Sequence, residues 1–247
     1  MKTIEITNKF SQLTVAALLV VCILISNTQV NAADKSFDIA GIKVKLGLPP
    51  EYCLLDPNNP SDKNIITGTE KSIAGRNEVL SVFGKCSELE AWRSGKKKYL
   101  DYVGSYQIEI STKSVNYAGK EAEAIKAVCD YFIKHSPGNM KEANDKTEKA
   151  IQEIWNKIKL NETKLIGAFH RDQTSCIAVF LQKLQTEDKS EKKQVSLFSV
   201  GIINGRMISS FLFGPNKSGA ITELVSSIKK LHKQNLVANK SAGKKTK

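Results

Sequence analysis

The residues best equipped for chemistry crowd into one short stretch, where His170, Asp172 and Ser175 are separated only by Arg171, Gln173 and Thr174. An imidazole beside a carboxylate and a hydroxyl is the material of general acid–base catalysis and of an activated nucleophile. The spacing argues against that use. Residues i and i+2 share a face only on a continuous strand, and Arg171-Asp172-Gln173 reads as a hairpin turn between the apolar runs "KLIGAF" and "SCIAVFLQKL". His170-Arg171-Asp172 also matches the start of a kinase catalytic loop, but nothing else of a kinase accompanies it. The two other histidines, His135 beside a turn and His232 near the C-terminus, bring no partner close in sequence. A hydrolase built on His170 and Asp172 is therefore the rival reading, and a protein with no catalytic residues is the expectation.

Other chemical motifs are absent. The sequence contains no phosphate loop, G-x-G-x-x-G, H-E-x-x-H or G-x-S-x-G,. "DPNNPSDKN" from Asp56 offers scattered oxygen ligands without the Gly and terminal Glu of a calcium loop, so it reads as a helix cap. No metal or cofactor is expected. Trp92 and Trp155 fall at helix positions and suit packing; Trp92, beside Lys96-Lys97-Lys98, is the one that could instead mark a binding surface.

The compartment is written at the start of the chain. Leu13 to Ile25 is apolar apart from one Thr, follows Lys2 and Lys9, and gives way to Ser26-Asn27-Thr28-Gln29 and then Val30-Asn31-Ala32. It is shorter than the roughly 20 residues a spanning helix needs. A basic start, a short apolar middle and a small-residue exit describe a secretory signal peptide over residues 1–32, cleaved after Ala32 or Ala33. An uncleaved anchor is the alternative. Lipidation at Cys22 is disfavoured, because Val21 before it is not small and Cys22 lies inside the apolar run. The form of the leader suits a bacterium, which places the mature chain in the periplasm or outside the cell.

Export gives the cysteines their meaning. Cys53, Cys86, Cys129 and Cys176 survive cleavage, and an even count in an exported chain reads as two disulfides with three pairings open,. None is spaced as C-x-x-C, so neither a redox motif nor a zinc knuckle is implied. A helix packed between two strands would bring Cys53 to Cys86. Cys129 on a core-facing helix would then meet Cys176 on a strand.

Removing the first 32 of 247 residues leaves 215, ample for one domain,. The two Lys and one Glu lost with the leader take the formal charge from +12 to +11, and seven lysines without an acid lie between Lys229 and Lys247. The positive excess is thus concentrated at the C-terminus. Lacking a basic aromatic face, the chain is not expected to bind nucleic acid. The Lys-rich tail is the candidate for contact with an anionic envelope surface.

The elements follow from periodicity. Ile42, Val44 and Leu46 alternate with Lys43 and Lys45 as a half-buried strand after a turn at Ala40-Gly41,. Asn59, Pro60 and Asp62 open a helix that Gly75 or Asn77 ends. "EVLSVFGKC" is a strand, "SELEAWRSG" a short helix with Ser87 and Glu90 in capping-box spacing, and "SYQIEIS" a further strand. Two amphipathic helices follow. Ala122, Ile125, Val128, Cys129, Phe132 and Ile133 stripe the first, and Ala143 to Ile158 forms the second,. From Thr163 the period becomes two, with Asn204-Gly205 the strongest hairpin signal. A last helix carries Ile221, Leu224, Val225, Ile228 and Leu231 on one face. The sum is an α+β domain over 33–235, with an antiparallel sheet, a late four-strand meander, a closing helix and a disordered tail over 236–247. Asn161, Asn216 and Asn239 each begin a glycosylation triplet, which matters only in a host that glycosylates exported proteins,.

"FDIAGIKVKLGLPPEYC", and "SVGIINGRMISSFLF" followed by "AITELVSSIKKL", resemble the PsbP-like and DcrB-like group of exported α+β proteins. That resemblance implies a non-enzymatic accessory or envelope protein and supplies no catalytic residue. An exported, disulfide-stapled binding or accessory module, with an envelope protein or ligand as its partner, is the function expected.

Overall fold

The computed structural model describes residues 35–134, 159–186 and 189–240. The leader with Ala32 and Ala33, the helix expected over Ala143–Ile158 with Trp155, His135, and the tail beyond Lys240 lie outside them.

β1 (Lys35–Ile39) and β2 (Ile42–Leu46) form a hairpin about Ala40 and Gly41, whose φ angles of 47° and 80° are those a tight two-residue hairpin requires,. Val44 and Leu46 are buried while Lys43 and Lys45 are exposed, as the alternation demands. The main sheet contains β3 (Tyr52–Leu54), β4 (Asn77–Lys85), β5 (Val103–Glu109), β6 (Lys159–Arg171), β7 (Ser175–Gln185), β8 (Glu191–Ile203) and β9 (Arg206–Pro215). Its order is β3-β4-β5-β9-β8-β7-β6 and every neighbouring pair is antiparallel. The protein is α+β, and the four-strand meander runs from β6 to β9.

Both faces of the sheet are covered. α1 (Pro60–Ile73) and α2 (Cys86–Arg93) close over Val82, while α3 (Glu121–Lys134) closes over Val200, Ile202 and Cys176 on the same face. On the opposite face α4 (Ala220–Lys240) packs beside the β1–β2 hairpin. Asn59 caps α1 by accepting from Ser61 and Asp62 N–H, and buried Asp62 takes the Arg93 guanidinium at 2.5 Å. The stretch from Asp56 is therefore a cap whose deepest carboxylate already has its cation.

Three expectations need correcting. Ser87 and Glu90 form no capping box: α2 begins at Cys86, whose N–H donates to Glu51 O at 2.8 Å and whose sulfur is bonded to Cys53. That anchorage starts the helix before Ser87. In α3, Ile125 and Cys129 are buried but Ala122 is exposed and Ile133 is 59% exposed, so the covered stripe is narrower than the apolar one. At the C-terminus order does not stop at Asn235. α4 continues to Lys240 because two polar residues bury themselves: Asn239 Oδ1 accepts Lys45 N–H at 2.9 Å, its Nδ2 donates to Lys45 O at 2.8 Å, and Asn235 Oδ1 accepts Gly47 N–H at 2.8 Å. These amides serve the β2 backbone as a neighbouring strand would. Asn239, with both ends of its amide engaged, is thereby removed as a glycosylation acceptor, whereas Asn161 and Asn216 are exposed.

Candidate functional site

The hairpin joining β6 to β7 does bring His170 and Asp172 together, with His170 Nε2 3.1 Å from Asp172 Oδ2. The other carboxylate oxygen is crowded. Asp172 Oδ1 accepts the N–H of Thr174 and of Ser175, both at 2.7 Å, and their hydroxyls at 3.0 and 3.2 Å. Burial works to raise the Asp172 pKa, but the backbone N–H groups and the contact with His170 outweigh it and hold it at about 2,. This is the hydrogen-bonding of an aspartate that shapes a turn.

The order of contacts decides the chemistry. In a catalytic triad the imidazole stands between hydroxyl and carboxylate, so that it can take the hydroxyl proton. Here the carboxylate stands in the middle: Ser175 Oγ donates to Asp172, and Ser175 is 2% exposed. His170 is thus offered a carboxylate and no nucleophile.

His232 of α4 is the partner that sequence reading missed. Its Nε2 lies 3.2 Å from Thr174 Oγ1, and its ring covers Gly201 so closely that a Cβ there would come within 2.4 Å of Cε1. Helix and hairpin meet only in the fold, and no local spacing signals the contact. Burial lowers the His232 pKa, Asp172 opposes that shift and His170 adds to it. The unfolded chain therefore binds the proton first as pH falls. Stability holds above about pH 6.5 and declines below it, with a slope of at most about 1.4 kcal/mol per pH unit, until the folded histidine also protonates. Asp172 adds a separate loss further down, as pH falls from its unfolded value toward 2. Urea midpoints at pH 7.5 and 5.5 should accordingly separate in the native chain and draw together in His232→Gln. Equal separation in both would remove His232 as the cause.

Grooves lie elsewhere. An open groove of about 380 Å³ runs between α3 and the sheet, with Val128, Tyr131 and Phe132 as one wall and Phe198, Val200 and Met207 as its floor. Its aromatic floor continues through Phe198 to Phe211, ring centres 4.9 Å apart. Glu109 at the rim accepts Ser111 Oγ at 2.7 Å and has no histidine or lysine beside it among the described lining residues. Under α4, Ser199, Ser210, His232 and Asn235 border a cavity of about 10 Å³, room for one water at most,. His170 and Asp172 border neither.

The remaining candidates are structural. Trp92 packs against the cluster of Leu55, Ile65, Val82 and Leu89 rather than forming a surface anchor. Lys97 beside it is held by Glu88 at 2.9 Å and Asp101 at 2.8 Å. Cys53 is bonded to Cys86 and Cys129 to Cys176, so the four thiols are locked as disulfides. Paired cysteines of this kind belong to an oxidising compartment. Among the described residues no helix is long and apolar enough to cross a membrane, and no cluster of His, Cys, Asp and Glu has the form of a metal site.

No family model matches the sequence, and no curated protein matches it. Solved structures with a related outline include the Saccharomyces cerevisiae Ran-binding protein Mog1p, 8% identical, covering 84% of this chain and 94% of that one at a TM-score of 0.32. A point mutant of protein Mog1 is 9% identical over the same shares, with a TM-score of 0.31. At such scores the likeness carries no functional weight.

Proposed function

We propose that this chain is a non-enzymatic binding or accessory module exported to an oxidising compartment, the kind of protein its resemblance to the PsbP-like and DcrB-like group implies. One observation carries the reading. The single acid–base pair anticipated from the sequence is consumed in shaping a hairpin, with Asp172 Oδ1 accepting four donors and Ser175 turned toward the carboxylate. Support comes from the two disulfides, which fasten α3 and the β3 edge to the sheet and favour a fixed surface over a moving active site. The apolar groove beneath α3 pairs no acid with a base among its described lining residues, which suits contact better than turnover.

Purified protein should show no turnover of a panel of ester, glycoside and phosphate substrates. His170→Ala should leave that result, and the fold, unchanged. Turnover that disappears in His170→Ala would replace this reading with a hydrolase centred on His170 and Asp172.

A further inference from the structure

We infer that the outer surface of α4 and β2 is a docking face for the anionic headgroups of a lipid bilayer. The inference rests on the chain being an exported contact protein and names the partner. It moves the site of adhesion from the tail to the folded body.

Helix geometry separates two populations on α4. Leu224, Ile228, Leu231, Asn235 and Asn239 are buried along one stripe. Lys229, Lys230, Lys233 and Lys240 project from the opposite arc and are exposed,. The Asn239 bonds seat β2 directly against this end of the helix, so exposed Lys43 and Lys45 extend the same surface. None of the six lysines is paired with a carboxylate among the described residues. The acid nearest to them in register is Asp38, opposite Lys43, and its Oδ1 accepts the N–H of Gly41. On α4 itself the acid is Glu223, in the first turn, well before the lysines.

Elsewhere several lysines have carboxylate partners, Lys97 with Glu88 and Asp101, Lys192 with Asp101, Lys183 with Glu162 and Lys126 with Asp130, whereas here six unpaired ones stand together. An excess of one sign attracts an extended opposite charge. What distinguishes a bilayer from a soluble polyanion is Val237. It is 62% exposed and stands on the same arc, one turn from both Lys233 and Lys240. An exposed apolar side chain among lysines can enter the acyl boundary while they meet the phosphates, a contact that a soluble polyanion does not offer. The sequence continues with Lys244, Lys245 and Lys247, which lengthen the same basic segment.

The test is co-sedimentation of the purified, disulfide-intact protein with vesicles of phosphatidylglycerol in phosphatidylcholine. Binding is expected at low salt, lost in half-molar salt and absent with phosphatidylcholine alone. The quadruple variant Lys229→Gln, Lys230→Gln, Lys233→Gln, Lys240→Gln should bind at least about a hundred-fold more weakly, at about five-fold per lysine. A matched change of Lys63, Lys71, Lys120 and Lys134 on the other face of the sheet should bind as the native chain does. Val237→Ser, which removes the apolar group and leaves the charge as it is, should weaken vesicle binding while leaving any binding to polyglutamate unchanged, which separates a bilayer from an acidic polypeptide. Circular dichroism of each variant should match the native protein, since all these side chains are exposed. The proposal is overturned if native protein ignores the anionic vesicles, if the two quadruple variants lose equally, if polyglutamate or duplex DNA competes on equal terms, or if removal of residues 241–247 alone abolishes binding. Any of those outcomes leaves the turnover assay, and with it the non-enzymatic reading, untouched.

Discussion

Arg206→Met will loosen the opening hairpin from the body of the protein and lower stability by about 2–3 kcal/mol. The guanidinium is 5% exposed and donates to four backbone carbonyls: Ile39 O at 3.1 Å, Ala40 O at 3.1 Å, Val115 O at 2.7 Å and Ser114 O at 3.3 Å. It thus joins the β1–β2 turn to the segment that precedes α3, from the first position of β9. Methionine keeps much of the volume and none of the donors. Ile39 O would be left without this donor beside fully buried Ile39 and Val44, while Ala40, Ser114 and Val115 are exposed and their carbonyls would turn to water, letting the hairpin part from the body. Nearby Asn204 donates to Lys43 O at 3.0 Å and cannot reach the turn carbonyls as well. Arg206→Lys should fall between, because one ammonium cannot serve four diverging carbonyls. Urea midpoints give the energy, and amide exchange across Ile39–Lys43 gives the location. A loss below about 1 kcal/mol in Arg206→Met, with exchange unchanged there, would show that the hairpin is held by its apolar side chains alone.

That latch shows where the sequence stops speaking. Alternation found β2 because it buries one face, the apolar runs of β7 and β8 marked strands buried on both, and Asn204-Gly205 announced a tight turn that the structure makes with φ angles of 49° and 74°. Asn59 announced its helix through a cap, which is likewise local. The disulfide pairing was legible from the same local elements, since a helix between two antiparallel strands returns the chain to its starting edge. What stayed hidden depends on contacts distant in sequence. Nothing in β9 reveals that it slots beside β5 instead of ending the sheet. Arg206 and Asn239 look like surface residues until their partners at Ile39 and Lys45 are known. For the same reason the tail boundary was drawn too early: apolar periodicity fades after Leu231, and the last turns of α4 are fastened by amides that such a count ignores. At the candidate site the sequence found His170 and Asp172 but could not see that Asp172, not the imidazole, would hold Ser175, nor that His232 would close over Thr174.

Replacing Cys129 and Cys176 together by alanine will cost about 5 kcal/mol, more than the same change at Cys53 and Cys86. In the chain-entropy model the two cross-links, separated by 47 and 33 residues, differ little, each contributing about 4 kcal/mol through the unfolded chain,. The difference arises from packing. Cys129 and Cys176 are 0% and 2% exposed and sit among Ile125, Val200 and Ile202, so removing their sulfurs also opens a void in the core,. Cys53 and Cys86 are half-buried at the β3 edge, where neighbours can settle inward and where a reductant gains access first. Against a total stability that for most domains is 5–15 kcal/mol, the Cys129 pair decides whether α3 stays folded onto the sheet. Urea midpoints of the two double-alanine variants, and alkylation of thiols released by stepwise dithiothreitol, should both place Cys53–Cys86 as the more dispensable link. Because α2, which begins at Cys86, and the lysines of α4 lie on opposite faces of the sheet, opening Cys53–Cys86 should leave vesicle binding intact. Simultaneous release of all four thiols, or a larger loss from the Cys53 pair, would mean that the edge strand and not the α3 core governs the stability of the protein.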